Sequence, residues 1–352
     1  MSEQSRDRSM SAGAWSRGGL VSLGVCPACG GRSTRDGEYV RMDDQQAMAD
    51  LWRMRDCAAC ASIYLDPRPT PKSLGRAYED YYTHVSEPSE ASQATLVARA
   101  INGYLNRRFR LDRQPAAAWG WWLFRVSLPL RMKLDVFGRH VPRALCDAGG
   151  RILDVGCGNG AFVLRAQQMG LTAYGSEPDP KAVEVCRRQG LDVVKDDIFS
   201  SHWTASAFDW ITMNHVIEHV EQPERFLARA LDLLVPGGVL WLGLPNPEAL
   251  GFRWFGVGWK GLHPPFHLLI PSQRVLRRWL EDAGFEDVVF VRRGAQSAGM
   301  WSETAGLSRR EGLVRQLKFL PFVRLFGNVL ASLGARWSEE TIVVARRSAV
   351  RE

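Results

Sequence analysis

The sequence lacks the features of a secreted or membrane-spanning protein. Its 352 residues contain no uninterrupted apolar run long enough to cross a bilayer, which takes about 18 to 20 residues. The N-terminal segment is polar and has no apolar stretch of the kind found in signal peptides. Seven cysteines are present, but their spacing is not that of a disulfide-stabilised secreted domain. We therefore expect a cytoplasmic protein with enough chain for about two domains.

Positive charge is unevenly distributed along the chain. The formal net charge is +7. Residues 101–143 account for this excess, because only Asp112 and Asp135 oppose their basic side chains. The basic residues of this segment are Arg107, Arg108, Arg110, Arg113, Arg125, Arg131, Lys133, Arg139 and Arg143. Such a local field attracts anions, which could be phosphorylated substrates, acidic lipid surfaces or nucleic acid.

Four of the cysteines form two closely spaced pairs. Two residues separate Cys26 from Cys29, and two separate Cys57 from Cys60. Two such pairs complete the four-thiolate coordination of a structural zinc ion, which leaves no open position for catalysis. Unmetallated thiols or a redox motif are the alternative. The sequence therefore predicts a zinc-ribbon-like module with these four residues as metal ligands.

Composition divides the chain into four parts. We expect a disordered tail at residues 1–19, the cysteine module at 20–75, and a helical, aromatic and basic segment at 76–145. The last part, 146–350, is expected to be one domain with an insertion at about 294–340.

Strand and helix patterns alternate in the last part. Short apolar runs predict strands at residues 151–155, 172–177, 192–195, 209–214, 239–245, 285–292 and 341–346. Helices are predicted between the first strands, at 161–169 and 180–188. This alternation is typical of an α/β fold with a largely parallel sheet and helices on both faces.

A glycine-rich turn follows the first predicted strand. Gly156, Gly158 and Gly160 come after Asp154 with the spacing G-x-G-x-G. Only glycine lets the chain turn sharply into a helix while a ligand approaches its backbone. Glu177 ends the next strand, where a carboxylate can accept hydrogen bonds from both hydroxyls of a ribose.

These elements together resemble the class I S-adenosylmethionine-dependent methyltransferases. The likeness rests on Asp154 before the glycine turn, Glu177, an aspartate after the third strand, the segment FDWITMNHVIEHV and the segment LLVPGG. It is strongest to the branch of quinone-biosynthesis-like and polysaccharide-cluster methyltransferases. The resemblance implies a Rossmann-like seven-stranded sheet that binds S-adenosylmethionine.

The resemblance also implies which residues bind the cofactor. Those expected at the cofactor are Asp154, Gly156, Gly158, Gly160, Glu177, Asp197 and Asn214. Of these, Glu177 is expected to hold the ribose and Asp197 to lie near the adenine, with Asp196 as a close alternative. Glu218 and His219 are expected to support the site rather than to touch the acceptor.

Three histidines are candidates for the proton acceptor in methyl transfer. The segment WKGLHPPFHL resembles the substrate-proximal loop of the same branch and follows the fifth strand. His267 is the leading candidate, with His263 and His215 as alternatives, because imidazole titrates near neutrality. His267 could instead only brace the loop. Sugar C-methyltransferases have a glutamate where this chain has Phe266, which argues against C-methylation.

Two segments fall outside the methyltransferase pattern. Aromatic residues interleave with the basic run at 119–124, and apolar residues recur at helical spacing within 317–333. Core packing or a dimer face is the simpler interpretation of the second segment. The alternative is an interfacial helix that lies, with the aromatic and basic segment, on an anionic membrane.

We therefore expect methyl transfer to a hydroxyl of a glycan, a glycolipid or a small metabolite. C-methylation of a nucleotide-linked sugar and methylation of nucleic acid are alternatives, as is a non-catalytic cofactor-binding protein. Nucleic acid is the less expected partner, because Asn214-His215-Val216 replaces the Pro-Pro-aromatic motif that often follows strand four in enzymes acting on base amines.

Overall fold

Strands and helices alternate along most of the chain. The computed structural model describes residues 15, 17–32, 34–42, 51–77, 95–293, 298–310, 312, 317–318 and 320–349, with only the backbone for 34–42, 77 and 298–300. The strands are β1 (Leu20–Val21), β2 (Thr34–Met42), β3 (Leu51–Cys57), β4 (Ile63–Leu65), β5 (Arg68–Pro69), β6 (Arg151–Val155), β7 (Thr172–Ser176), β8 (Val193–Val194), β9 (Phe208–Asn214), β10 (Leu234–Pro245), β11 (Leu269–Ile270), β12 (Phe285–Val291) and β13 (Glu340–Arg347).

The helices surround these strands. They are α1 (Pro71–Ala77), α2 (Leu96–Phe109), α3 (Gly120–Val126), α4 (Leu128–Asp135), α5 (Arg143–Asp147), α6 (Ala161–Gln168), α7 (Pro180–Arg188), α8 (Pro223–Leu233), α9 (Leu250–Phe255), α10 (Gln273–Asp282), α11 (Ala298–Arg310) and α12 (Leu320–Leu333).

A seven-stranded mixed sheet forms the centre of the fold. Its strand order is β12-β13-β10-β9-β6-β7-β8. The five strands from β10 to β8 in this order are parallel, while β13 runs antiparallel between β10 and β12. This arrangement confirms the predicted α/β fold class and the seven-stranded sheet.

The central strands are apolar on both faces because helices cover both. Leu153 and Ile211 belong to a core cluster with α8 and α10, whereas their neighbours Ile152 and Trp210 belong to a second cluster with α2, α6 and α7. Successive side chains of a strand point to opposite faces, so continuous apolar runs are what a doubly covered sheet requires.

The sheet changes direction between β6 and β9. From β6 the chain moves outward through β7 and β8, and then returns to β9 on the other side of β6. In open α/β sheets, ligands bind in the crevice at the carboxyl ends of the strands at such a switch point. Asp154 in β6 and Asn214 at the end of β9 lie at this crevice.

The paired cysteines belong to a smaller sheet that is attached to the main domain. Its strand order is β11-β4-β3-β2, so residues 269–270 pair with the cysteine segment. Ser272, the N-cap of α10, donates to the carbonyl of Cys60 over 2.6 Å, and Arg278 donates to the carbonyl of Ala28 over 2.8 Å. The cysteine segment therefore packs against the N-terminal half of α10.

Most of the expected disordered tail, residues 1–19, lies outside the described residues. Within it, Trp15 is buried, and its ring packs edge-on against Trp52 at 5.5 Å. The chain between β12 and β13 contains α11 and α12. Among the described residues, no helix combines the length and the apolar character needed to cross a bilayer.

Candidate active site

All three glycines in the turn after β6, Gly156, Gly158 and Gly160, adopt left-handed backbone conformations. The φ angles of Gly156 and Gly158 are +66° and +55°, in a region that disfavours other residues. A Cβ atom on Gly156 would come within 2.7 Å of the Val216 side chain, whereas one on Gly158 would have no atom within 4 Å. Gly158 therefore leaves room for a ligand to approach the backbone.

Glu177 connects this turn to the end of β7. One oxygen of its buried carboxylate accepts a hydrogen bond from the Gly158 N–H over 2.8 Å, and the other accepts one from the Asp179 N–H over 3.0 Å. Burial raises the pKa of Glu177, although both hydrogen bonds favour its charged form. The carboxylate is thus held at the carboxyl edge of the sheet, beside the open glycine.

Asp154 has one oxygen committed and one without a partner. Its side chain is 2% exposed. Oδ1 accepts a hydrogen bond from the Thr212 hydroxyl over 2.8 Å and pairs with the Arg139 guanidinium. Oδ2 is buried and has no hydrogen-bond partner among the described residues. Since an unsatisfied buried acceptor is costly, Oδ2 is a site where a bound cation or donor is favoured.

A cavity of about 350 Å³ extends from the glycine turn across the ends of β9, β10 and β13. It is lined by Val136, Arg139, Gly156, Cys157, Gly158, Asn159, Ala161, Phe162, Arg165, Asn214, Trp241, Gly243, Arg293, Glu340 and Ile342. The Arg139 guanidinium lies 3.8 Å from the centroid of the Phe162 ring. Three arginines and one glutamate make the lining electropositive.

Some of the predicted cofactor residues line this cavity and others do not. Gly156, Gly158 and Asn214 line it. Gly160 does not, because a Cβ there would meet Leu191 at 2.5 Å, so its small size serves the packing of the turn on the core. Asp197 also lies outside the lining, and its Oδ1 accepts the Phe199 N–H over 2.7 Å.

Several cavity residues had no signal in the sequence. From the sequence, Arg139 was identified only as one charge in a basic segment, and Arg293 and Glu340 were not identified. None belongs to a motif, because each reaches the cavity through the packing of distant segments.

His215 is held between two carboxylates next to the cavity. Its Nδ1 is 2.9 Å from Glu218 Oε1, and its Nε2 is 3.4 Å from Glu340 Oε1. Arg293 Nε donates to the other oxygen of Glu340 over 2.9 Å. Burial disfavours charge on the imidazole, but the interactions with Glu218 and Glu340 prevail and raise the pKa of His215 to about 10.

His267 and His263 are buried away from the cavity lining. The Nδ1 of His267 is 2.8 Å from the Gly261 carbonyl, and its Nε2 is 3.9 Å from Glu218 Oε1. Burial, together with the charge of His219, lowers the pKa of His267 well below its usual value. His263 packs its ring against His267 at 5.0 Å. Of the three predicted histidines, His215 is therefore the one next to the cavity.

Comparison with known proteins identifies the family. A family model described as a methyltransferase domain matches residues 131–289. The chain is 32% identical over 183 residues to the ubiquinone biosynthesis O-methyltransferase of Dinoroseobacter shibae, covering 47% of this chain and 71% of that protein. It is 30% identical over 192 residues to the enzyme of that name from Xanthomonas euvesicatoria pv. vesicatoria, covering 50% and 80%. The chain belongs to the class I S-adenosylmethionine-dependent methyltransferases.

A solved methyltransferase has a similar chain course. The S-adenosylmethionine-dependent methyltransferase from Archaeoglobus fulgidus is 18% identical, with a TM-score of 0.44, and the match covers 64% of this chain and 99% of that one. The family model and the relatives at 30% and 32% identity show that this methyltransferase uses S-adenosylmethionine as its methyl donor, as the sequence predicted.

Within the part of the chain that the structure describes, two groups of side chains could hold a metal ion. The Sγ atoms of Cys26, Cys29, Cys57 and Cys60 all lie within 4.8 Å of one another. Ligand atoms of His215, Glu218 and His267 meet the same criterion. In the second group, a metal ion would have to replace the hydrogen bond between His215 and Glu218.

The open space at Gly158 predicts a selective effect of substitution. Gly158→Ala and Gly190→Ala both place a Cβ in a left-handed conformation without a clash, at a cost of about 1–2 kcal/mol each. Of these two glycines, Gly158 lines the cavity and Gly190 does not. We expect Gly158→Ala to weaken S-adenosylmethionine binding at least about tenfold in titration calorimetry, with Gly190→Ala near the parent affinity. Equal affinities for the two variants would contradict a cofactor site at this turn.

Proposed function

We propose that this methyltransferase methylates a hydroxyl group on an aromatic ring of a small molecule, with His215 as the proton acceptor. The observation that carries the proposal is the position of His215, between Glu218 and Glu340 and directly after the cavity-lining residue Asn214. The similarity to O-methyltransferases named for ubiquinone biosynthesis supports a small-molecule hydroxyl.

The residues around the glycine turn fit S-adenosylmethionine. We propose that the unpaired Oδ2 of Asp154 accepts a hydrogen bond from the ammonium group of the cofactor. Arg139 and Arg165 supply positive charge in the cavity for its carboxylate. Glu177 is proposed to hold the ribose, since its remaining lone pairs can accept from the hydroxyls. Asp197, with Asp196 as the alternative, stays our prediction for the adenine end.

The bound cofactor supplies a reactive methyl group on a sulfonium. The enzyme must then align the acceptor oxygen, exclude water and remove a proton. Trp241, Phe162 and Ile342 are the large apolar residues of the cavity lining, and we propose that they limit the access of water once both substrates are bound. Asn214 and His215 are proposed to orient the acceptor hydroxyl. Glu218 fixes the imidazole through Nδ1, so the proton is proposed to be taken at Nε2, where the acceptor hydroxyl would replace the contact with Glu340 at 3.4 Å.

The pKa of His215 favours a ring hydroxyl over a sugar hydroxyl. Proton transfer in a hydrogen-bonded pair is easiest when the two pKa values are similar. A pKa of about 10 for His215 is close to that of a phenol, about 10 for tyrosine. A sugar hydroxyl is closer to water, at about 15.7. The glycan acceptor expected from the sequence is therefore the poorer match.

The buried histidines have a different proposed role. His267 has a lowered pKa and lies outside the cavity lining, so we propose that it positions Glu218 and the loop rather than accepting the proton. His263, equally buried, is proposed to brace the same loop.

Transfer of a labelled methyl group tests the acceptor class. We expect label from S-adenosylmethionine to reach the oxygen of catechols at a rate at least about 100-fold above that for methyl glycosides, reflecting the pKa difference. His215→Gln should lower the catechol rate about 100-fold or more, while His202→Gln, at an exposed histidine, should not. Faster labelling of the glycosides would reject the proposal. A rate that depended on added Mn²⁺ would assign His215, Glu218 and His267 to a metal ion instead.

The pH dependence of the rate tests the role of His215. The imidazole must be neutral to accept a proton, so kcat/KM should rise about tenfold per pH unit through neutrality towards pH 10. Glu218→Gln removes one stabilising carboxylate and should shift this rise to lower pH. Since ionisation of the acceptor is unchanged in the variant, an unshifted profile would exclude His215 as the titrating group.

We also propose that the four cysteines bind a structural zinc ion. The Sγ atoms of Cys26 and Cys60 are 3.7 Å apart, and those of Cys29 and Cys57 are 3.6 Å apart. A tetrahedral zinc ion with bonds of about 2.3 Å separates its sulfur ligands by about 3.8 Å. In each pair of cysteines the backbone turns tightly, with Gly30 N–H donating to the Cys26 carbonyl over 2.8 Å and Ala61 N–H to the Cys57 carbonyl over 2.8 Å.

Loss of the metal should lower the thermal stability of the fold. Cys29→Ser removes one thiolate at an exposed position, and we expect the bound zinc measured by mass spectrometry to fall from one per chain and the Tm to drop by about 5 °C or more. Ala58→Ser, also exposed in the second cysteine turn, is the matched control. Purified protein without zinc but with parent stability would argue against a structural metal.

A further inference from the structure

We infer that α3, α4 and α12 together form a surface that docks on an anionic lipid bilayer. This inference does not depend on the identity of the methyl acceptor. It rests on which side chains of these helices face solvent, on how the helices are arranged, and on the sign of the charge around them.

One side of α12 is apolar and exposed. Phe322, Leu325, Phe326, Val329 and Leu333 are each between 50% and 71% exposed. Their spacing places them on one face of the helix. A soluble chain rarely exposes so many large apolar side chains together, and such a patch marks an interaction surface.

The opposite side of α12 anchors the helix, so the apolar face has a fixed direction. Val323, Gly327 and Ala331 are buried at a spacing of four residues. A Cβ on Gly327 would lie 3.4 Å from the ring of Trp301, which shows how closely the helix approaches α11. At the far end, Arg292 donates to the Ser332 carbonyl over 3.5 Å. These contacts fix the rotation of α12 about its own axis, so its apolar face is held towards the solvent.

Helices α3 and α4 extend the same surface. α12 packs against α4, and α3 precedes α4 directly. Exposed apolar residues on this part are Trp119, Trp122, Leu123, Val126, Leu128 and Leu130. Tryptophan is enriched at membrane interfaces because its ring is apolar while its N–H can reach polar groups.

The charge around the apolar face is positive. Exposed Arg107, Arg125, Lys133 and Arg324 lie on or beside the three helices. The guanidinium groups of Arg107 and Arg125 lie 6.0 Å and 5.8 Å from the Trp122 ring.

Asp135 is the one acid within α3, α4 and α12. It is already bonded by the Tyr104 hydroxyl over 2.7 Å and the Arg108 guanidinium over 3.2 Å. The surface therefore presents cations without a competing carboxylate of its own.

This charge pattern favours anionic lipid over a second copy of the chain. In a symmetric dimer the same patch meets itself, so these cations would approach like charges. A bilayer with anionic headgroups instead accepts the apolar side chains at the acyl boundary and attracts the cations, each basic residue contributing about fivefold in affinity. The surface also adjoins the cavity. Val136, which lines the cavity, directly follows α4, and Arg293, which also lines it, directly follows Arg292, the residue that donates to Ser332 of α12.

Co-sedimentation of the full chain with vesicles tests the inference. We expect binding to vesicles of phosphatidylcholine with phosphatidylglycerol, and at least about tenfold weaker binding to phosphatidylcholine alone. The combined variant Phe322→Ser, Leu325→Ser and Phe326→Ser should bind anionic vesicles at least about tenfold less. Val289→Ser, which removes an exposed apolar side chain from β12, should bind like the parent.

Further measurements separate the outcomes. Arg125→Gln with Lys133→Gln should reduce binding to anionic vesicles about tenfold or more while leaving the circular dichroism spectrum unchanged. Equal sedimentation of the parent and the combined variant, or equal binding to both vesicle types, would overturn the inference. A dimer in analytical ultracentrifugation that the combined variant converts to monomer would also overturn it, because the face would then belong to a second copy.

Discussion

The fold depends on a sheet whose central strands are covered on both faces. Helices on each side leave no room for a ligand along β6, β9 or β10, so polar groups can meet a ligand only where these strands end. The switch in strand order brings Asp154 and Asn214 to the same crevice. Gly156, Gly158 and Asn214 line the cavity at this crevice.

Charged groups at this opening occur in balanced sets because unpaired charge is costly when buried. Asp154 pairs with Arg139, and Glu218 and Glu340 enclose His215. Such pairs contribute little to stability but fix geometry and protonation. The carboxylates of Glu218 and Glu340 raise the pKa of His215, whereas burial lowers the pKa of His267 even though its Nε2 lies 3.9 Å from Glu218 Oε1.

Backbone hydrogen bonds connect the cysteine segment to the loop that contains His267. Strand β4 pairs with β11, which begins two residues after His267, and the Leu65 N–H donates to the Leu268 carbonyl over 3.0 Å. The Leu268 N–H donates in turn to the Glu218 carbonyl over 2.8 Å. A metal ion that stiffens the cysteine turns would therefore also restrain the loop that contains His267. This connection gives the module a structural purpose within the methyltransferase.

The buried carboxylate of Glu339 anchors the segment after β10. Glu339 accepts hydrogen bonds from the Gly251 N–H over 2.9 Å and the Trp259 indole over 2.6 Å. Burial raises the pKa of Glu339 to about 7. Since the folded pKa lies above that of an unfolded glutamate, this group favours the folded state less as the pH rises from about 4.5 to 7.

The sequence by itself determined the parts that depend on local chemistry. Helices cover both faces of the sheet, so its central strands had to be continuous apolar runs. The turn after β6 required glycine. The paired cysteines could be recognised from their spacing alone. Tertiary structure decided what depends on distant contacts and on exclusion of water. It brought Arg139 to Asp154 and Glu340 to His215, joined β4 to β11, and placed His215 rather than His267 beside the cavity. No local pattern contains these outcomes, because a pairing between distant segments and the resulting shift of a pKa exist only once the chain has folded.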